Sequence, residues 1–318
     1  MPASSSAKRR FIRGSLFFRL FTVFAALAVI PVAFISFITI EMTASMVREQ
    51  LIESRYVSVR YLRSYVGFLI DQVVSLASLY DNDHNLRIVL EREYHDEYER
   101  FSEAYRVEQR LQAQSFSFDW MKKQLVLLGV NGSVYSTEDR FVEFAFADFK
   151  ASYLYAAALR NPERILWLPT STLAERFGWS EPSFTAVKLL VHPYTRREYG
   201  VLFMHIAEST LFEAYRKFLS EEDELVLIDR TGRIVTASDR SLVGGPLDPG
   251  LSGNILSAGR GKASFESGGR LYVTERIEEA DWTVAESMPL SAFPRRMTAS
   301  TGSALSMSTP ARRSDSSG

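Results

Sequence analysis

The chain has 318 residues, a formal net charge of −1 and no cysteine; 46% of it is hydrophobic and 24% charged. Its even charge balance leaves no global basic field for nucleic acid. Without cysteine, disulfides, thiolate nucleophiles and zinc–cysteine sites are excluded together. The length suits about two domains.

The first predicted element is the stretch Leu20–Ile40, LFTVFAALAVIPVAFISFITI, which carries no charge. About 20 apolar residues rising ~1.5 Å each cross the ~30 Å hydrocarbon core of a bilayer, and Pro31 is tolerated in such a span. Lys8, Arg9, Arg10, Arg13 and Arg19 precede it, and no acid occurs before Glu41. This asymmetry predicts a single-pass plasma-membrane protein, with 1–19 a cytoplasmic tip and the bulk outside. The stretch is longer than the about 7–15 apolar residues of a cleaved signal, so an uncleaved anchor is expected.

Residues 41–119 read as a helical stalk. Val59, Leu62, Val66, Leu69, Val73, Leu76 and Tyr80 alternate spacings of three and four, the a/d seam of a coiled coil. That seam fits pairing with a second copy of the chain, and it equally fits packing on the chain's own domain. Asp81-Asn82-Asp83 breaks the helix, and a second one is predicted over 84–115. Its stripe Tyr94, Tyr98, Phe101 and Tyr105 reads as a packing face.

From Trp120 the pattern is of strands. Leu125–Val130 is apolar throughout, Asn131-Gly132 turns it, and Ser133–Ser136 returns. A helix over 146–160 follows, then strands at Ile165–Leu168, Thr185–Val191 and Gly200–Ile206, and a helix over 208–219. Leu225–Ile228, Asp229-Arg230-Thr231-Gly232 and Arg233–Ala237 then repeat the first hairpin at an offset of 100 residues. A Gly/Pro loop (Gly244-Gly245-Pro246, Pro249-Gly250) leads to strands Lys262–Glu266, Arg270–Ile277 and Trp282–Met288. The fold class is therefore α+β: a transmembrane helix, a stalk and two modules, 120–220 and 221–293, each built on an antiparallel sheet of about five strands. Residues 294–318 are rich in Ser, Thr, Ala and Arg and are expected to be disordered.

No enzymatic constellation emerges. Gly259-Arg260-Gly261-Lys262 lacks the earlier glycine and the following Ser or Thr of a phosphate loop. His84, His95, His192 and His205 lack metal-ligand spacing and read as ordinary core or surface residues. No cofactor, metal or catalytic residue is implied.

This order of elements resembles a double Cache region, two PAS-like modules on a long helix, as found in bacterial transmembrane receptors. The landmarks are the hairpins Leu125–Val142 and Glu224–Ala237 with the closing strands Ala263–Ile277 and Trp282–Met288. The run from Ser152 to Pro162, with Trp167-Leu168-Pro169-Thr170, resembles Gram-positive sensor histidine kinases of two-component systems; Leu154 stands where that branch carries Trp. The Arg-x-Trp-Tyr signature of amino-acid-binding relatives is absent. The resemblance implies a membrane-distal module (120–220) that binds a small molecule, a membrane-proximal module (221–293), a homodimer and a response regulator reached through a kinase domain. It puts Tyr153, Tyr155, Arg160 and Trp167 on the pocket wall, where aromatic faces and an Arg suit a carbohydrate or a small anion. The likeness ends near Phe293, so the sequence reads as the sensor part alone, truncated before a second span. The alternatives are the sensor of a chemotaxis receptor or cyclase, and a free-standing anchored solute-binding protein.

Overall fold

The computed structural model describes residues 16–116, 118–138, 144–258 and 263–292. Lys8, Arg9, Arg10 and Arg13, the 139–142 end of the expected first hairpin, the glycine-rich loop at 259–262 and the 294–318 tract lie outside the described residues. Two units divide the chain, Gln50–Ala292 and Met1–Glu49 with Phe293–Gly318.

The first helix, α1, is Leu16–Asp81, with Pro31 inside it. Its apolar stretch is exposed on all sides, Phe24 by 65% and Leu27 by 69%. Among the described residues it is the one helix long and apolar enough to cross a membrane. Thr22 and Thr39 donate their hydroxyls to the carbonyls of Phe18 and Ile35, so these two hydroxyls are satisfied within the helix.

The Gln50–Ala292 unit is built on the remainder of α1. Two short helices follow, α2 (His84–Glu91) and α3 (Glu97–Phe116), in place of the single helix expected over 84–115. Asp83 caps α2 by accepting from the amides of Asn85 and Leu86, and Arg92 leaves it in extended conformation. The first module then has β1 (Lys123–Gly129), β2 (Val134–Ser136), α4 (Phe146–Ala151), α5 (Tyr153–Leu159) and β3 (Leu166–Ser171). A 3-10 turn, Thr172–Phe177, leads to β4 (Ser183–Val191), β5 (Glu198–Ala207) and α6 (Ser209–Tyr215). The second module has β6 (Glu224–Asp229), β7 (Ile234–Ala237), α7 (Pro249–Ala258), β8 (Ala263–Ser267), β9 (Arg270–Ile277) and β10 (Trp282–Pro289). The helix read over 146–160 breaks at Ser152, whose hydroxyl bonds back to the carbonyl of Phe149. Gly244-Gly245-Pro246 is a loop as expected, but Pro249-Gly250 opens helix α7: proline suits a first helical position, and Asp248 caps it through the amide of Leu251.

The two sheets share one topology. Their orders are β2-β1-β5-β4-β3 and β7-β6-β10-β9-β8, and every pairing is antiparallel. Both faces of each are covered, which is why Leu125–Gly129 of β1 reads as a continuous apolar run. On one face, Leu125 and Leu127 of β1 and Leu225 and Leu227 of β6 join a single core around Val59, Leu62, Val66, Leu69, Val73, Leu76 and Tyr80 of α1. The heptad seam thus packs on its own sheets, and those positions are filled within one chain. On the opposite face of the first sheet, Val126, Leu128 and Phe203 pack under α4, α5 and the 3-10 turn. Helix α7 covers the corresponding face of the second sheet through Ile255.

Three of the four residues of the aromatic stripe do not form a packing face, while Tyr94, which precedes α3, is half-buried beneath Arg92. Tyr98, Phe101 and Tyr105 are 79%, 72% and 59% exposed, whereas Val107 and Leu111 are buried in the main core. The helix is rotated so that its smaller aliphatic residues enter the main core.

Candidate functional site

Helix α5 and strand β3 carry the four residues expected to form a pocket wall, and their periodicities sort them. Successive helical residues turn by about 100°, so positions two apart point roughly oppositely while i, i+4 and i+7 share a side. Leu154 and Ala158 face the core of the first module. Tyr153, Ala157, Arg160 and Asn161 face a cleft between the two modules. Tyr155 points elsewhere: its ring meets Phe149 edge-on at 5.7 Å and its hydroxyl donates to Glu198 at 3.1 Å. Lys150 donates to the same carboxylate at 2.9 Å and holds Glu198 below the usual carboxylate range. On β3, Leu166 and Leu168 face the phenylalanine-rich side and Trp167 faces the cleft. Three of the four expected residues therefore share one wall, and Tyr155 does not join them.

The cleft holds about 1600 Å³. Its floor is Trp167 set edge-on to Trp282 of β10, with ring centroids 5.6 Å apart. Trp282 is buried, and its indole N–H has no hydrogen-bond partner among the described residues. The first-module wall is basic, with Arg160 and Arg164 exposed and engaged in no ion pair among the described residues. The opposite wall includes the β9–β10 turn, Glu278-Glu279-Ala280-Asp281, whose two glutamates are exposed. The β6–β7 turn adds Arg230, Thr231 and Asp229. The carboxylate of Asp229 is occupied within its own turn, accepting from the amides of Thr231 and Arg233 at 2.8 and 2.9 Å. Arg63 of α1 reaches Glu275 at 3.5 Å and donates to the carbonyl of Arg276, and Arg276 pairs with Asp281. The first-module wall is thus basic and the second-module wall carries both signs, Arg230, Arg233 and Arg276 beside Glu275, Glu278, Glu279 and Asp281, with an aromatic floor beneath.

The loop beside the cleft is bonded, through Lys188, to the end of α1. Lys188 of β4 is 8% exposed and donates to the carbonyls of Pro162 and Glu163, in the loop between α5 and β3, at 3.0 and 3.1 Å. The same ammonium sits 3.1 Å from the carboxylate of Asp81, the last residue of α1. The hydroxyl of Tyr199 donates to the carbonyl of Asp81 at 3.0 Å.

The modules are also bonded to one another. Thr170 donates its hydroxyl to the carbonyl of Val235 at 2.6 Å. The fully buried carboxylate of Glu208 accepts from Thr236 and from Arg240, the latter at 2.8 Å, and Tyr215 meets Thr236 at 3.0 Å.

One feature of the first module lies outside the expected residues. Gln124 of β1, His205 of β5 and Thr185 of β4 are register neighbours, forming a fully buried polar row across three strands. Gln124 donates to the carbonyl of Phe177 at 2.9 Å, and His205 Nδ1 lies 2.9 Å from the hydroxyl of Thr185. His205 Nε2 and Gln124 Oε1 have no partner among the described residues. Burial pushes the imidazole down to about 3, so it is neutral. His205 is thus a core histidine, as its apolar strand implies. The legible signal was three polar residues interrupting apolar runs at positions that the strand order aligns. Among the described residues no group of three His, Asp or Glu is placed to hold a metal ion.

No protein-family model matches the chain, and no curated protein does. Solved structures do. The sensory domain of the Campylobacter jejuni chemoreceptor Tlp3 (CcmL) superposes with a TM-score of 0.57 at 16% identity, covering 79% of this chain and 98% of that one. The ligand-binding domain of the Pseudomonas fluorescens chemoreceptor CtaA, solved with L-isoleucine, gives 0.56 at 13%, covering 79% and 97%. That of the Pseudomonas aeruginosa amino-acid chemoreceptor PctC, solved with GABA, gives 0.50 at 16%, covering 76% and 98%. With its two sheets of one strand order set along a long helix, the chain has the tandem PAS-like Cache fold.

Proposed function

We propose that this chain is the extracytoplasmic, ligand-sensing part of a membrane-anchored signalling receptor, and that its ligand is a small zwitterion held in the inter-module cleft. The observation that carries the reading is that groups of both signs stand exposed around one aromatic floor: Arg160 and Arg164 on one wall, and Glu278 and Glu279 beside Arg230 on the other, above Trp167 and Trp282. A carboxylate at Arg160 and Arg164 and an ammonium at Glu278 and Glu279 would satisfy both sets, whereas a neutral sugar or a simple anion leaves the glutamates unused. The amino acids and GABA bound by the Cache neighbours have this chemistry. Tyr153 would close the rim. Ligand drawn to the basic wall would act on the Asn161–Arg164 loop, and Lys188 would pass the change to Asp81. Such a shift requires the ligand to prefer one arrangement of that link. The neighbours are chemoreceptors, which favours a chemotaxis output over the kinase output of the sequence resemblance.

The test is a thermal-shift screen of the full chain in detergent against L-isoleucine, L-valine, L-arginine and GABA. A ligand at about 100 times its Kd stabilises by roughly 2.7 kcal/mol, a readily measured shift. At least one is expected to raise the melting temperature, and the Arg160→Ala/Arg164→Ala variant is expected to lose the effect. Stabilisation that survives in that variant would remove the ligand from the cleft.

A further inference from the structure

Strand β10 alternates cleanly. Trp282, Val284 and Met288 are buried, Trp282 and Val284 in the core shared with α1. By the same alternation Glu286 points to that face, and it is 1% exposed. Its register partners on the flanking strands are Leu225 of β6 and Val273 of β9, both apolar and buried. Two charged groups face it. Arg55 of α1 donates through Nη1 to Oε1 of Glu286 at 3.1 Å and to Oδ2 of Asp223 at 2.5 Å. Asp223, in the turn before β6, is 3% exposed at its side chain and also accepts from the amide of Ser220. The charged residues at the ends of the flanking strands, Glu224 and Arg270, pair with each other at 3.4 Å. Oε2 of Glu286 has no partner among the described residues.

One guanidinium is thus shared by two buried carboxyl groups. With both ionised, the core would hold a net negative charge and an unbonded carboxylate oxygen, an arrangement that burial penalises. With a proton on Glu286 the triad is neutral. We propose that Arg55, Asp223 and Glu286 form a proton-binding site, whose occupancy sets how firmly α1 is held against the closing strand of the second module. This is a second input, independent of the cleft.

The direction follows from burial, which pushes Glu286 up to about 7, against the opposing pull of Arg55 and with a smaller push from Asp223. The closed arrangement therefore binds the proton more tightly than an opened one, where the carboxyl has its ordinary value of 4.5. The clamp is at full strength below that value, weakens as pH rises toward 7, and levels off above it.

Two measurements on the full chain in detergent test the proposal. Infrared spectra with labelled glutamate should show a protonated buried carboxyl at pH 6 that is gone at pH 8.5 and absent from Glu286→Gln. Hydrogen exchange at the amides of Arg55–Val59 and Trp282–Met288, corrected for intrinsic rates, should lose protection by about tenfold per pH unit between pH 5 and 7. Glu286→Gln should abolish this dependence. Asp223→Asn removes the neighbouring negative charge and should move the infrared midpoint to lower pH, a readout that stands even if the glutamine variant misfolds. A carboxyl already ionised at pH 6, an unchanged pH dependence in Glu286→Gln, or a midpoint unmoved in Asp223→Asn would each overturn the proposal.

Discussion

Replacing Lys188 by Met tests the link between the cleft loop and the stalk. The substitution keeps the apolar stem and nearly the same volume, so no cavity opens; what disappears is one buried ammonium and its three oxygen contacts. Removing one partner of a buried ion pair costs about 3–5 kcal/mol when the other is left buried. Here Asp81 retains 25% exposure and recovers part of its hydration, which lowers the figure. The carbonyls of Pro162 and Glu163 lose a donor but lie near solvent, adding about 1 kcal/mol at most. The expected loss is about 2–3 kcal/mol, equivalent to a fall of roughly 5–10 °C in melting temperature for a domain of this size. Circular dichroism melts of the full chain at low and high salt provide the assay. The deficit should persist at high salt, because a buried pair is poorly screened. A fall below about 2 °C would refute the argument and leave the Lys188–Asp81 contact with no more weight than a surface pair.

Two further substitutions probe the packing. Phe203→Ala removes a fully buried ring that contacts Phe144, Phe149 and Phe177 at centroid distances of 5.8, 5.7 and 4.9 Å. Denaturant titration should show a loss of about 3–5 kcal/mol, and a loss under about 1.5 kcal/mol would mean that the helices over this sheet collapse into the space. In a double-mutant cycle, Glu208→Gln and Arg240→Met should couple by about 1 kcal/mol, since the carboxylate is buried but the guanidinium is half-exposed. No measurable coupling would remove this pair from the joint between the modules.

The strands were the most legible part of the sequence. Leu125–Gly129 and Leu225–Ile228 are apolar on both faces, and their turns carry glycines at positive φ, Gly132 at 82° and Gly232 at 80°. Those signals are local, so the repeat and its sheets could be read directly. Helix faces were less legible. The stripe through Tyr98 and Phe101 is as periodic as the buried set through Val107 and Leu111, and periodicity alone does not say which face meets a neighbour. Tyr153 and Tyr155 both suit a pocket by residue type, but positions two apart on a helix point about 200° from one another, so only Tyr153 faces the cleft. The triad was hidden by distance, since Arg55 lies 168 and 231 positions from its partners. An acid at 286 amid the alternation Trp282, Val284, Met288 was the visible anomaly.

The strand orders carry a consequence for biosynthesis. β10 lies inside its sheet, bonded to β6 on one side and β9 on the other, although it is the last strand to be made. β5 has the same place in the first sheet, between β1 and β4. Neither sheet can be completed as its strands emerge; each waits with two separate hairpins until its final strand threads between them. A nascent chain that has exposed everything up to Ile277 therefore still presents unpaired inner edges of β6 and β9, the situation in which strands find wrong partners. The eight residues Trp282–Pro289 close the second sheet, and with Glu286 among them they bring the stalk contact into register in the same step.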